Sequence, residues 1–164
     1  MRQIKTYINE KLHVTTKSYA QQYTYHPTTK DELQEIIIQR IKENGNECDL
    51  NDIDVSNITD MSHLFDANHY RNKRNEIFKD FNGDISLWNV SNVKNMNYMF
   101  DLCEKFNCDI SYWNVSNVET MEYMFNMCEN FNQNLDDWDV SNVKFMYETF
   151  RYCPTKPKWY KGII

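Results

Sequence analysis

A 25-residue period runs through most of this 164-residue chain and decides what it can fold into. Phe81 to Lys105 reads FNGDISLWNVSNVKNMNYMFDLCEK, Phe106 to Asn130 reads FNCDISYWNVSNVETMEYMFNMCEN, and Phe131 onward reads FNQNLDDWDVSNVKFMYETFRYC. Trp88, Trp113 and Trp138 hold one position of the unit, and Cys103, Cys128 and Cys153 hold another. A chain with this self-similarity stacks small supersecondary units, each burying its apolar face only against its neighbours. Such an array presents a continuous surface and, as a rule, no chemistry.

Inside one unit, Ile85, Trp88, Val90 and Val93 have the L-x-x-L-x-L spacing of leucine-rich repeats. Trp88 and Val90 alternate as in a half-buried strand, with Leu87, Asn89 and Ser91 facing the other way. Met96, Met99 and Phe100 return at three and four, the mark of a short helical turn. The expected fold class is therefore an α/β repeat solenoid, a leucine-rich-repeat-like stack of about four 25-residue coils with an N-terminal helical cap. Asn92, Asn117 and Asn142 follow each strand position, where stacked amides can satisfy turn backbone. The three in-register cysteines read as a column of small buried hydrophobes in a reducing compartment.

Three zones follow. Residues 1–48 form an N-terminal cap containing a helix over 30–44. Pro27 and Thr29 precede Asp31 and Glu32, a helix-start signal, and Leu33, Ile36, Ile37 and Ile41 keep helical spacing until Asn44-Gly45 ends the run. Ile4 to Tyr25 is expected to add to that cap. Residues 49–153 are the repeat array, whose first unit is divergent. Val55 to Val90 is 35 residues, ten beyond the period, and the surplus lies in an insertion at 66–80. Insertions in repeat proteins map to loops, often on the binding face. Residues 154–164 are a closing tail carrying Trp159, Tyr160, Ile163 and Ile164.

Charge narrows the partner. Residues 49–153 hold 18 acidic and 8 basic side chains, a balance of −10 within a net charge of −6. An acidic array repels phosphate backbones, so direct nucleic-acid binding on the solenoid face is not expected. It attracts basic protein surfaces. The outward strand positions are Asp52 and Asp54, then Leu87 and Asn89, then Tyr112 and Asn114, then Asp137 and Asp139. That row has an apolar middle with acidic ends, as a small protein interface does, or is simply a solvated face. The basic insertion, with Tyr70, Arg71, Lys73 and Arg74, is either a second contact element or simply a solvated loop.

Catalytic constellations are missing from the sequence pattern: no phosphate-cradling glycine loop, no H-E-x-x-H and no G-x-S-x-G. The chain reads as a non-enzyme with no catalytic residue, no metal and no cofactor. Cys103 with Cys108, and His63 with His69, are too sparse to make a metal site. No run approaches the roughly 20 apolar residues of a membrane span, so no membrane partner is expected and the chain reads as cytoplasmic.

The FN-x-DIS-x-WNVSNV-x-x-M-x-x-MF units, over roughly Asp49 to Cys153, resemble the BspA-like leucine-rich repeat surface protein family, here in a short form without an export signal. The resemblance implies a solenoid and, for secreted members, adhesion to proteins. The expected function is a non-catalytic protein-binding scaffold acting by surface contact. Two alternatives stand beside it. One is a phage or mobile-element inhibitor blocking a nucleic-acid-binding host defence protein through its acidic surface, in the host cell cytoplasm. The other is a fragment of a bacterial surface adhesin.

Overall fold

The helix signals around residue 30 produce α1 (Lys30–Asn44) in the computed structural model, which describes residues 23–68 and 73–162. The Thr29 hydroxyl accepts from the Glu32 N–H at 3.2 Å, and the Glu32 carboxylate reaches back to the Thr28 N–H at 2.8 Å. Gly45, at φ 85°, turns the chain out of the helix while its N–H bonds the Ile41 carbonyl at 2.8 Å. Leu33, Ile37, Ile38 and Ile41 are buried, and Ile36 is only partly so. Polar side chains fasten the same helix to the first repeat unit. Lys30 Nζ lies 2.9 Å from both Asp60 and Ser62 Oγ, and Gln34 Nε2 donates to the Leu64 carbonyl at 2.9 Å. Thr29→Ala is expected to cost about 1 kcal/mol, read as a lower urea midpoint at unchanged slope.

The α/β solenoid expected above is not what the repeats form. Among the described residues no strand and no sheet occurs; five isolated parallel bridges take their place, including Asp60 to Asn95, Asn95 to Thr120 and Thr120 to Phe145. The helical turn expected at Met96 to Phe100 is not helical either, since Tyr98 has φ 57°. Apart from α1, the one helix among the described residues is η1, a 3₁₀ helix at Lys73–Phe78 in the insertion.

The physical reason lies in which bonds close the three-residue spacing. Trp88 N–H bonds Ile85 O at 3.1 Å, Val93 bonds Val90 at 2.9 Å, Met99 bonds Met96 at 3.2 Å, Cys103 bonds Phe100 at 3.0 Å and Phe106 bonds Cys103 at 3.2 Å. Each of these is an i to i+3 bond, the closure of a β-turn, and every residue named at its ends is buried. A chain of tight turns thus puts apolar residues inside at the same intervals as a leucine-rich repeat. The D-I-S and N-V-S motifs set the intervening corners. Asp84 and Asn89 accept from the N–H groups of Ser86 and Ser91 at 2.9 and 3.2 Å, which are Asx turns.

Successive units register through a row of backbone N–H groups that point forward to the next unit, while at the start of the row Glu119 and Lys144 donate back to Lys94 and Glu119. Met96, Tyr98, Phe100 and Leu102 donate to Thr120, Glu122, Met124 and Asn126, and Met121, Tyr123, Phe125 and Met127 donate to Phe145, Tyr147, Thr149 and Arg151. Left-handed φ at Tyr98, Leu102, Tyr123, Met127, Glu148 and Tyr152 turns the backbone every few residues, so no stretch stays extended long enough to be a strand. Rings stack along the same axis. Phe65, Phe100, Phe125 and Phe150 follow one another at 5.3, 5.6 and 5.2 Å, with Phe81, Phe106 and Phe131 between them. The cysteine column is buried, and the thiols of Cys103 and Cys128 donate to the Phe65 and Phe100 carbonyls at 2.9 and 3.1 Å. Asn92, Asn117 and Asn142 each donate their amide to a serine carbonyl one unit back, at 2.7 to 2.8 Å.

The tail imitates a further unit. Trp88, Trp113 and Trp138 donate their indole N–H to Leu50, Ile85 and Ile110 carbonyls, and Trp159 donates to Leu135 O at 2.7 Å. Trp159 and Tyr160 meet Phe150 edge-on at 5.8 and 5.2 Å.

Candidate functional site

Four of the candidate contact residues are engaged in local turns. Asp54, Asn89, Asn114 and Asp139 each accept from the N–H of the serine two residues on, at 3.0 to 3.2 Å. Those serine hydrogen bonds hold the Asp54 and Asp139 carboxyls below the usual carboxylate range. Asp52 is drawn into the cap, where Arg40 pairs with it at 3.1 Å. The acidic end at Asp52 and Asp54 is therefore partly neutralised, while Asp137 and Asp139 stay exposed at the other end.

The middle of the row is different in kind. Leu87 is 61% exposed and Tyr112 is 67% exposed, among the largest apolar side chains turned to solvent. They hold equivalent positions on successive units, where Asp52 and Asp137 stand on the units either side. Nothing about the turns requires an apolar residue there.

The described part of the insertion, from Lys73 on, is tied to both the capping helix and the repeat units. Phe78 is buried edge-on against Phe65 at 5.6 Å, Arg74 pairs with Glu35 of α1 at 2.6 Å, and Lys79 pairs with Glu104 at 3.2 Å. Lys73 is exposed. Tyr70 and Arg71, with His69, lie outside the described residues, as do residues 1–22. His63 Nδ1 sits 2.7 Å from the carboxylate of Asp66, which is 1% exposed.

The geometry also holds a row that sequence reasoning missed. His63 stacks on Tyr98 at 4.8 Å, Tyr98 on Tyr123 at 4.8 Å, and Tyr147 closes edge-on at 5.4 Å, all half-buried. The signal was present in the shared Y-M-F of two units, but Tyr147 is out of register by one residue and His63 replaces a ring in the divergent unit.

Burial pushes the Cys108 and Cys153 thiols up to about 11, and complete burial holds Cys103 and Cys128 well above the usual thiol range. Thiols so placed are protonated at neutral pH and make poor nucleophiles. Among the described residues, no three His, Cys, Asp or Glu side chains gather closely enough to hold a metal ion. No helix among them is long and apolar enough to cross a membrane.

Residues 35–159 match the family described as "Mycoplasma protein of unknown function, DUF285". The chain belongs to the DUF285 family. The matched stretch begins inside α1 and ends at Trp159, so it takes in the capping helix from Glu35 on and the indole that imitates a further unit. No curated protein and no solved structure matches this DUF285 chain.

Proposed function

We propose that the chain is a non-catalytic protein-binding module whose contact surface centres on Leu87 and Tyr112. The observation that carries this reading is the exposure of those two side chains at equivalent positions of neighbouring units. An apolar centre with a polar rim is the anatomy of a small interface. Asp137 and Asp139 favour a partner with a basic surface at that end. The protonated thiols support a role without nucleophilic chemistry, and five free cysteines fit a reducing compartment. Within DUF285, the FN-x-DIS-x-WNVSNV units favour the BspA-like group, which keeps protein adhesion as the second reading. Mimicry of nucleic acid by an acidic face has less support, because Arg40 already occupies Asp52.

The test is capture of partners from a bacterial lysate by the wild-type chain and by a Leu87→Asp/Tyr112→Asp double variant, read by quantitative mass spectrometry. Both side chains are exposed, so the variant is expected to keep its fold. A stoichiometric partner is expected on the wild-type chain and at least tenfold less on the variant, about the loss of one interface anchor. Equal retention by the variant rules the Leu87–Tyr112 surface out.

A further inference from the structure

The row of forward-pointing N–H groups leaves the C-terminal end of the array chemically distinctive. Inside the array, the N–H groups of Met121, Tyr123, Phe125 and Met127 are each met by a carbonyl of the following unit. The equivalent donors of the last unit belong to Met146, Glu148, Phe150 and Tyr152. The tail supplies only part of the complement. Tyr160 covers Phe150, and its hydroxyl faces the Phe150 and Thr149 backbone N–H groups, whose pull partly offsets the burial that raises its pKa. Among the described residues, no acceptor meets the N–H of Met146, Glu148 or Tyr152.

The side chains around this edge are equally unfinished. Phe145 is 58% exposed and Tyr152 is 64% exposed. Beside them lies a depression of about 370 Å³ lined by Glu148, Arg151, Tyr152, Lys156, Tyr160 and Gly162. Arg151 pairs with Glu148 at 2.7 Å and lies over the Tyr152 ring at 4.9 Å. Lys156 lies 5.9 Å over the Tyr160 ring and meets no carboxylate among the described residues.

The polarity of the Met146–Tyr152 row selects its occupant. A second copy docking with the same row would set those donors against their own kind. The opposite end of the array, where a second copy could offer carbonyls, is covered by α1, with Lys30 and Gln34 on Asp60, Ser62 and Leu64. A segment that turns as residues 119–126 do offers carbonyls on one side at every second residue, the interval between Met146 and Glu148. We propose that the edge Met146–Tyr152 is a docking strip for an acidic segment of another protein that follows the turned path of a repeat row, paired through its backbone carbonyls with a carboxylate seated beside Lys156. The strip uses different residues from Leu87 and Tyr112 and stands independently of that surface.

A suitable probe is the blocked octapeptide ETMEYMFN, the sequence of residues 119–126, which carries two glutamates and no cation. Within the array its carbonyls at Thr120, Glu122, Met124 and Asn126 accept from the preceding unit, so it has the register the strip requires. Titrated into the full ¹⁵N-labelled chain, it is expected to slow amide exchange at Met146, Glu148 and Tyr152 about tenfold and to leave Leu87 and Tyr112 unchanged. Replacing its two glutamates by lysine, or Lys156→Glu on the exposed tail, is expected to weaken binding about tenfold; an unchanged amide spectrum elsewhere verifies that the variant is folded. Unslowed exchange at saturating peptide, protection centred on other amides, or equal affinity for the lysine peptide overturns the proposal.

Discussion

Phe100→Ala is expected to lower the stability of the chain by about 3–5 kcal/mol. The ring is fully buried and stacks on Phe65 at 5.3 Å, Phe106 at 4.0 Å and Phe125 at 5.6 Å, with Trp113 tilted at 6.4 Å. Removing it leaves a void in the middle of a column whose neighbours cannot close on it. Phe65 and Phe125 are pinned by inter-unit hydrogen bonds to Met99 O and Thr149 O, and Phe106 by its turn bond to Cys103 O. Domains of this size are stable by about 5–15 kcal/mol in all, so the substitution removes a large share. Urea unfolding followed by tryptophan fluorescence measures it. A loss under about 1 kcal/mol, the range of an ordinary surface change, would mean that the rings are not packed as a load-carrying column.

Gly83→Cys is the second large effect, and repeat logic alone predicts the opposite. The same position holds Cys108 in the next unit and Gln133 in the one after, so a side chain looks welcome there. At Gly83, however, an added Cβ would sit 2.6 Å from Phe81 Cε2 and 2.7 Å from the Cys48 carbonyl oxygen. The first junction is drawn together by backbone bonds: Asn82 and Asp84 N–H donate to Asn46 and Cys48 carbonyls at 2.9 and 3.0 Å. At later junctions the N–H groups of Asn107 and Asn132 reach an asparagine side chain instead, at 2.8 and 3.0 Å. That longer link leaves room for a side chain. Gly83→Cys is expected to cost about 1–3 kcal/mol by overpacking, and Cys108→Gly far less, in parallel thermal melts. Equal costs at the two positions would contradict the tight first junction.

The candidate surface was legible in part. Leu87 and Tyr112 stand out in the sequence because they interrupt a polar position of the unit, and they are exposed in the fold. Asn89, Asn114, Asp54 and Asp139 looked like members of the same row. Only the structure reveals that their side chains are engaged in Asx turns. The basic residues of the insertion read as a solvated loop or a contact element, yet Arg74 and Lys79 are tied to Glu35 and Glu104, partners too distant in sequence for spacing to reveal.

Repetition in the sequence was enough to establish the register of the array and the identity of its core. Residues 25 apart must face the same neighbours, and Phe, Trp, Met and Cys at those positions have nowhere to go but inward. Thr29 and Gly45 likewise marked the ends of α1 through local capping chemistry. Secondary structure within the unit was a tertiary matter. Spacings of three and two serve a helical turn, a leucine-rich strand and a run of β-turns alike, and the apolar pattern is blind to which hydrogen bonds close them. The choice falls to turns because Tyr98, Tyr123 and Glu148 adopt left-handed backbone, a conformation costing about 1–2 kcal/mol that no local signal in a non-glycine residue announces. At Tyr98 and Tyr123 the N–H then meets a carbonyl of the following unit, and that bond exists only once two units stand side by side.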